Sequence, residues 1–199
     1  MRKVDPVKFQ DRRSWILEAA RRCFQRDGFR GASIADICAE AGMSPGHLYH
    51  YFGSKEAIIE TLTEFALQEA NSRFEQMLTK HDIVQAFLDE IDNGRLEREE
   101  RGTALLMEVR AEATRNPAVA SILQRWWEGL RHLLTEFVRE GQERGQVDKQ
   151  LDPDITAAIL VNAVESAANL SLKDPTFDQT KGAQMLKILV TRFLRSPER

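Results

Sequence analysis

Apolar residues recur at intervals of three and four almost from end to end of this chain. Nowhere do Val, Ile and Thr alternate in the period-two pattern of a half-buried strand. The spacing predicts about nine helices. The first, capped by Asp5 with Pro6 in its first turn, carries Phe9, Ile16, Ala20, Cys23 and Phe24 on one face and ends at Gly28. Two short helices follow between 33 and 53. A fourth begins at Ser54 and carries Ile58, Leu62, Phe65 and Leu67 towards Met77. A fifth spans about Ile83 to Ile91 and ends at Asp92-Asn93-Gly94, and a sixth covers about Leu96 to Arg115. The seventh is long, from Pro117 to about Gly141 or Arg144, with Ile122, Leu123, Trp126, Leu130, Leu133 and Phe137 on one face. The eighth opens on Asp152-Pro153 and reaches about Leu172, and the ninth runs from about Asp178 to Leu194. Helices of these lengths on short connections predict an all-α fold. No repeat, low-complexity tract or flexible linker interrupts it, so the fourth helix is expected to be a rigid join between two domains.

The densest local signals lie in residues 33–56. Ser33 and Asp36 form an S-x-x-D capping box ahead of an apolar face made by Ile34, Ile37, Cys38 and Ala41. Gly42 stops that helix, since the residue just past a helix end often needs positive φ. Met43 plugs the turn. Ser44 caps a second helix, and Pro45 fits its first turn, where a missing N–H costs nothing. Leu48 and Phe52, four apart, point inward; Gly53 ends the helix and Ser54 caps the next. Helix, short glycine turn and helix is the helix-turn-helix unit, whose second helix enters the DNA major groove.

The residues Ala41-Gly42-Met43-Ser44, Leu48-Tyr49-His50-Tyr51-Phe52 and Ser54-Lys55 resemble the N-terminal signature of the TetR family (TetR/AcrR-like) of transcriptional regulators. Upstream, Ile16-Leu17-Glu18-Ala19-Ala20, Cys23-Phe24 and Gly28-Phe29 resemble it too. The resemblance implies an N-terminal three-helix DNA-binding domain at 1–54 and a larger C-terminal helical bundle at 55–199 for effector binding and dimerisation. It also implies that Ser33, Ser44, Pro45, Gly46, His47, Tyr49, His50, Tyr51 and Lys55 touch bases or phosphates. Chemistry supports such roles. Gly46 lets the backbone approach the groove floor, His47 and His50 can donate or accept at base edges, and the Pro45 ring can meet a thymine methyl. Tyr49 and Tyr51 carry hydroxyls for phosphate oxygens, and Lys55 adds charge at a helix N-terminus. The alternative for each tyrosine is partial burial against the first helix. His47 stands where many relatives carry a small polar residue. His47 and His50 also have the spacing of a metal pair, but no Cys or carboxylate ligand is near in sequence, so no metal and no cofactor are expected.

Charge changes the picture when read by region. The whole chain carries a formal −3, yet residues 1–56 hold 10 Lys/Arg against 7 Asp/Glu, leaving 18 against 24 beyond. The basic excess sits on the helix-turn-helix, as a phosphate footprint requires. Lys3, Lys8, Arg12 and Arg13 are candidates for a phosphate-contacting arm, or for a solvated terminus. Cys23 and Cys38 fall on apolar faces and read as buried small hydrophobes. No apolar run is long enough for a bilayer and the first residues have no signal-peptide pattern, so a cytoplasmic protein without membrane contact is expected.

The family resemblance implies a small-molecule effector in the larger domain. Phe65, Met107, Glu108, Trp126, Trp127 and Glu165 are the candidate lining, a set of aromatics and carboxylates suited to a lipophilic cation; the alternative is plain core and solvated carboxylates. The eighth helix is apolar almost all round, through Ile155, Ala158, Ile159, Val161, Ala163 and Val164, with Asn162, Glu165 and Asn169 on one face. In the family the last two helices form a four-helix bundle in a homodimer, and Ala183, Met185, Leu186, Leu189 and Phe193 give the ninth a suitable face. Glu165 faces either the pocket or that interface. The expected function is a ligand-responsive regulator, most simply a repressor, that binds a palindromic operator on double-stranded DNA as a homodimer and is released by its effector. The alternatives are a DNA-binding regulator without an effector and a ligand sensor that does not bind DNA. No P-loop, zinc-protease or nucleophile-elbow motif is present, so no catalytic residues are expected.

Overall fold

The computed structural model describes residues 6–91, 100–168, 170, 174 and 176–195 of the 199-residue chain. Lys3, Asp5, Asp92-Asn93-Gly94, Leu96, Asn169 and Leu172 lie outside the described residues. Among those described, every regular element is a helix: α1 Pro6–Gly31, α2 Ile34–Ala41, α3 Pro45–Tyr49, α4 Lys55–Leu78, α5 Ile83–Glu90, α6 Glu100–Ala113, α7 Pro117–Glu143, α8 Pro153–Ala168 and α9 Gln179–Leu194. The all-α class expected from the spacing is the one adopted.

The starts follow from short polar caps. Ser54 Oγ accepts from Ala57 N–H at 3.2 Å, Asp82 Oδ1 from Gln85 N–H at 2.8 Å and Asn116 Oδ1 from Ala118 N–H at 3.1 Å. Asp152 Oδ1 accepts from Ile155 N–H at 2.8 Å and Asp178 Oδ1 from Lys181 N–H at 3.0 Å. Each bond satisfies one of the amide donors that a helix start leaves without an intrahelical partner.

The chain divides into two compact units, Met1–Phe65 with Ala104–Leu123, and Ala66–Thr103 with Gln124–Arg199. The core of the first gathers Ile16, Phe24 and Phe29 from α1, Ile37 and Cys38 from α2, Leu48 and Phe52 around α3, Ile58 and Ile59 from α4, and Val109, Val119 and Ile122 from α6 and α7. Cys23 and Cys38 are free and buried, and burial pushes both thiols up, away from the reactive thiolate. The core of the second is built on Ile83, Val84, Phe87, Phe137, Val138, Leu160, Val190 and Leu194. There Phe87 and Phe137 stack with ring centroids 5.2 Å apart.

Three faces differ in detail from the sequence pattern. On α7 the apolar stripe runs Val119, Leu123, Trp127, Leu130, Leu134 and Phe137–Val138. Steps of four and three keep it on one side of a 3.6-residue helix, so Trp127 rather than Trp126, and Leu134 rather than Leu133, pack onto the core of the second unit. On α8, Ala157, Leu160 and Val161 are buried while Ile155 and Ile159 are exposed, so within one chain that helix is covered on one side only. On α9, Leu186 belongs to the core, and Met185, Ile188 and Leu189 form the outward apolar face.

Candidate nucleic-acid interface

The helix-turn-helix forms as its local chemistry dictates. Ser33 and Asp36 make the reciprocal capping box: Asp36 N–H donates to Ser33 Oγ at 3.1 Å and Ser33 N–H to Asp36 Oδ2 at 2.8 Å. The Ser33 hydroxyl also donates to Asp36 Oδ2 at 2.5 Å, and this bond first, with that of the Ser33 N–H after it, holds the Asp36 carboxyl below its ordinary range. Gly42 takes the left-handed conformation at φ 65°, ψ 41°, turning the chain from α2 into α3. Ser44 Oγ then accepts from His47 N–H, and Pro45 opens the helix. Leu48 and Phe52 are buried, which pins α3 by one side and leaves the other open. Trp15, which the sequence pattern did not single out, donates its indole N–H to Ala41 O at 3.0 Å, closing the C-terminal end of α2.

The open side of α3 presents Pro45, Gly46, His47, Tyr49 and His50. A Cβ added to Gly46 would meet nothing within 4 Å, so the backbone itself is accessible there. Tyr49 is 53% exposed, whereas Tyr51 is half-buried and sits 4.8 Å from the Phe9 ring of α1. Tyr51 is also the shared neighbour of the two histidines: His47 lies 5.4 Å from it and His50 5.3 Å, edge-on. Tyr51 thus packs among the rings of Phe9, His47 and His50, and His50 also meets Phe9 edge-on at 6.0 Å, so the partial burial that the sequence left open for Tyr51 is present. Ser33 and Ser44 are exposed at the two helix starts.

Lys55 is placed differently from the phosphate contact expected. Its ammonium donates to Phe29 O at 2.6 Å and Ala32 O at 3.1 Å and lies 4.6 Å from the centre of the Phe29 ring. The cation is spent on the end of α1, because the carbonyls there have lost their helical donors. Arg13 is likewise drawn inward, its guanidinium 4.9 Å over the Phe52 ring. Glu40 joins α2 to α1 by accepting from Arg22 at 2.7 Å, which lowers its pKa.

Comparison with known proteins fits this geometry. Residues 16–62 match the family described as bacterial regulatory proteins, tetR family, and residues 84–187 match the tetracyclin repressor-like C-terminal domain. The chain belongs to the TetR family. It is a DNA-binding transcriptional regulator of that family, and its matched N-terminal part contains α2, α3 and the start of α4. The regulator UidR of Escherichia coli strain K12 is 32% identical over 154 residues, 77% of this chain and 78% of UidR. Among solved structures, Salmonella enterica GusR superposes with a TM-score of 0.78 at 29% identity, over 92% of this chain and 95% of GusR. Bacillus subtilis FadR in complex with stearoyl-CoA superposes at 0.77 with 18% identity, over 92% of this chain and 99% of FadR, which is likeness of fold.

In this TetR-family chain the six effector candidates fall in different places. Phe65, Met107 and Glu108 belong to the first unit, and Trp126, Trp127 and Glu165 to the second. Phe65 and Met107 are exposed. Glu108 accepts the Phe29 N–H at 2.8 Å, a bond across 79 residues of sequence that no local pattern announces. Trp126 and Glu165 are half-buried. A cavity of about 300 Å³ opens between α7 and α8, lined by Gln124, Trp127, Glu128, Arg131, Ala158, Val161 and Asn162, so Trp127 is the one candidate that reaches it. Adjacent tryptophans point about 100° apart on a helix, which separates Trp127 from Trp126. Among the described residues no cluster of three metal-ligating side chains occurs, and no helix is long and apolar enough to cross a membrane.

Proposed function

We propose that this regulator is a homodimeric repressor that binds a palindromic operator through α3 and releases it when a small molecule occupies its larger, C-terminal part. The observation that carries the reading is the open face of α3, where His47 and His50 stand outward on the Tyr51 ring beside the bare backbone of Gly46. Residues 1–54 act as the DNA-binding domain. His47, His50 and Pro45 meet base edges in the major groove, while Tyr49, Ser33 and Ser44 reach phosphates. Residues 55–199 bind the effector and dimerise, and the protein works in the cytoplasm.

Ile155 on α8, 62% exposed, and Met185 on α9, 58% exposed, with Ile159, Ile188 and Leu189, make an apolar surface of a kind that monomers rarely leave open. A two-fold pairing of these helices covers it and spaces two α3 helices for a palindrome. The α7–α8 cavity is at the small end of ligand pockets and mixes an aromatic wall with the charges of Glu128 and Arg131. That FadR of the same fold is solved with stearoyl-CoA supports a small-molecule ligand. The ligand acts by differential affinity for two states, a coupling of about 1–3 kcal/mol in typical cases.

Selection of bound sequences from random duplex DNA tests the proposal. A two-fold symmetric site with half-sites about one helical turn or somewhat more apart is expected. Enrichment of no sequence, or of a site without symmetry, would remove the reading.

A further inference from the structure

The break in α1 is held from two sides. Gly28 adopts φ 74°, ψ 167°, a conformation essentially confined to glycine. A break of this kind strips the next amide of its helical acceptor. Phe29 N–H finds one in Glu108 Oε2 of α6, at 2.8 Å. The fit is mutual: a Cβ at Gly28 would fall inside the Glu108 carboxylate, so this close approach needs a glycine for space as well as for its backbone angle. On its other side, the Phe29 carbonyl takes the ammonium of Lys55 at 2.6 Å, and Lys55 is the first residue of α4, three beyond the buried Phe52. One peptide segment is thus gripped by an α6 carboxylate and by the first residue of α4, the helix that comes after the recognition helix.

We propose that Glu108 is a positioning residue for operator binding: by holding the Phe29 N–H at the α1 kink, it sets the register of Lys55 and α4 against α1 and so the presentation of α3. The inference rests on the DNA-binding reading above. Glu108 itself is exposed, so its removal leaves no buried charge, and the Phe29 N–H loses its acceptor at a site that water can reach, which limits the cost to global stability. What changes is the set of conformations open to the kink, and specific DNA contacts need narrower geometry than folding does.

The test uses the full-length protein and the selected operator. Glu108→Ala, Glu108→Asp and Glu108→Gln are compared for operator affinity, affinity for a scrambled duplex, Tm, and hydrogen exchange at the Phe29 amide. Glu108→Ala, and Glu108→Asp with its carboxylate one methylene short, should each weaken operator binding about tenfold, equivalent to about 1.4 kcal/mol. The scrambled-duplex affinity should stay at the wild-type level, and protection of the Phe29 amide should be lost. Glu108→Gln should restore both, because its amide oxygen still accepts. Gly28→Ala should weaken operator binding further, and less in the Glu108→Ala background than alone, because the steric part of its cost needs the carboxylate. If Glu108→Ala lowers Tm while operator affinity holds, Glu108 is only a brace and the inference is overturned. If Glu108→Gln is as weak as Glu108→Ala, charge rather than the accepted hydrogen bond matters, and it is overturned as well. If the wild type binds no duplex, the DNA-binding reading itself falls and carries the inference with it; wild-type binding with an unaffected Glu108→Ala removes the inference alone.

Discussion

Replacing Lys55 by Met separates two jobs that one lysine can hold. The methylene stem survives in Met, so packing is nearly conserved while the ammonium disappears. What is lost is a pair of charge-assisted hydrogen bonds, to Phe29 O at 2.6 Å and Ala32 O at 3.1 Å, and a cation 4.6 Å over the Phe29 ring. Bonds to charged groups contribute roughly 1.5–3 kcal/mol and a cation–π contact about 0.5–2 kcal/mol when dry. Lys55 is half-exposed, and water reaches the freed carbonyls, so the sum shrinks to about 2 kcal/mol. For a chain of this length that lowers Tm by roughly 4–8 °C. Thermal unfolding followed by circular dichroism measures it, and fluorescence anisotropy against salt concentration measures the second job. Because the ammonium is spent within the protein, the salt slope of operator binding should match wild type. A lysine that contacts phosphate would instead flatten the slope by about one when removed. An unchanged Tm together with a flattened slope would refute the assignment of Lys55 to the α1 carbonyls.

Leu48→Ala, at a fully buried position, should cost about 2–5 kcal/mol in urea unfolding and abolish operator binding, because α3 loses the side chain that seats it. His47→Ala and His50→Ala should each relax base preference by about 1–3 kcal/mol in competition with altered operators, with affinity for unrelated duplex little changed. The folded-state pKa of Asp36 lies below its unfolded value, so unfolding takes up a proton in acid. Its stabilising contribution is then complete above the ordinary carboxylate pKa of about 4 and is lost as pH falls through the folded value. The stability gap between wild type and Asp36→Asn, measured by urea unfolding, should therefore close on acidification below that point. Ile159→Lys combined with Met185→Glu should give a monomer by light scattering with the fold intact by circular dichroism, and operator affinity should fall with the loss of the second half-site.

The elements of this protein were readable along the chain because their causes are local. Capping boxes, Ser and Asp caps and glycine stops act within four residues, so the starts of α2, α3 and α7–α9, and the stop of α2, followed from Ser33-Asp36, Gly42, Ser44-Pro45, Asn116-Pro117, Asp152-Pro153 and Asp178, whereas α3, expected to run to Gly53, ends at Tyr49. The inward pair Leu48 and Phe52 followed from i, i+4 spacing in the same way. Which side of α7 faces the core did not, because neighbouring tryptophans compete for one stripe and only the helices packed on it decide between them. Nor did the uses of three side chains show: Lys55 and Trp15 cap the carbonyls of α1 and α2, and Glu108, which reads as a ligand carboxylate in a row of apolar residues, holds a backbone amide 79 positions away. A charged or polar side chain announces its chemistry in the sequence, but its partner is fixed by packing. Local rules reach one helical turn, and everything that joins α6, α4 and α1 at the kink lies beyond that range.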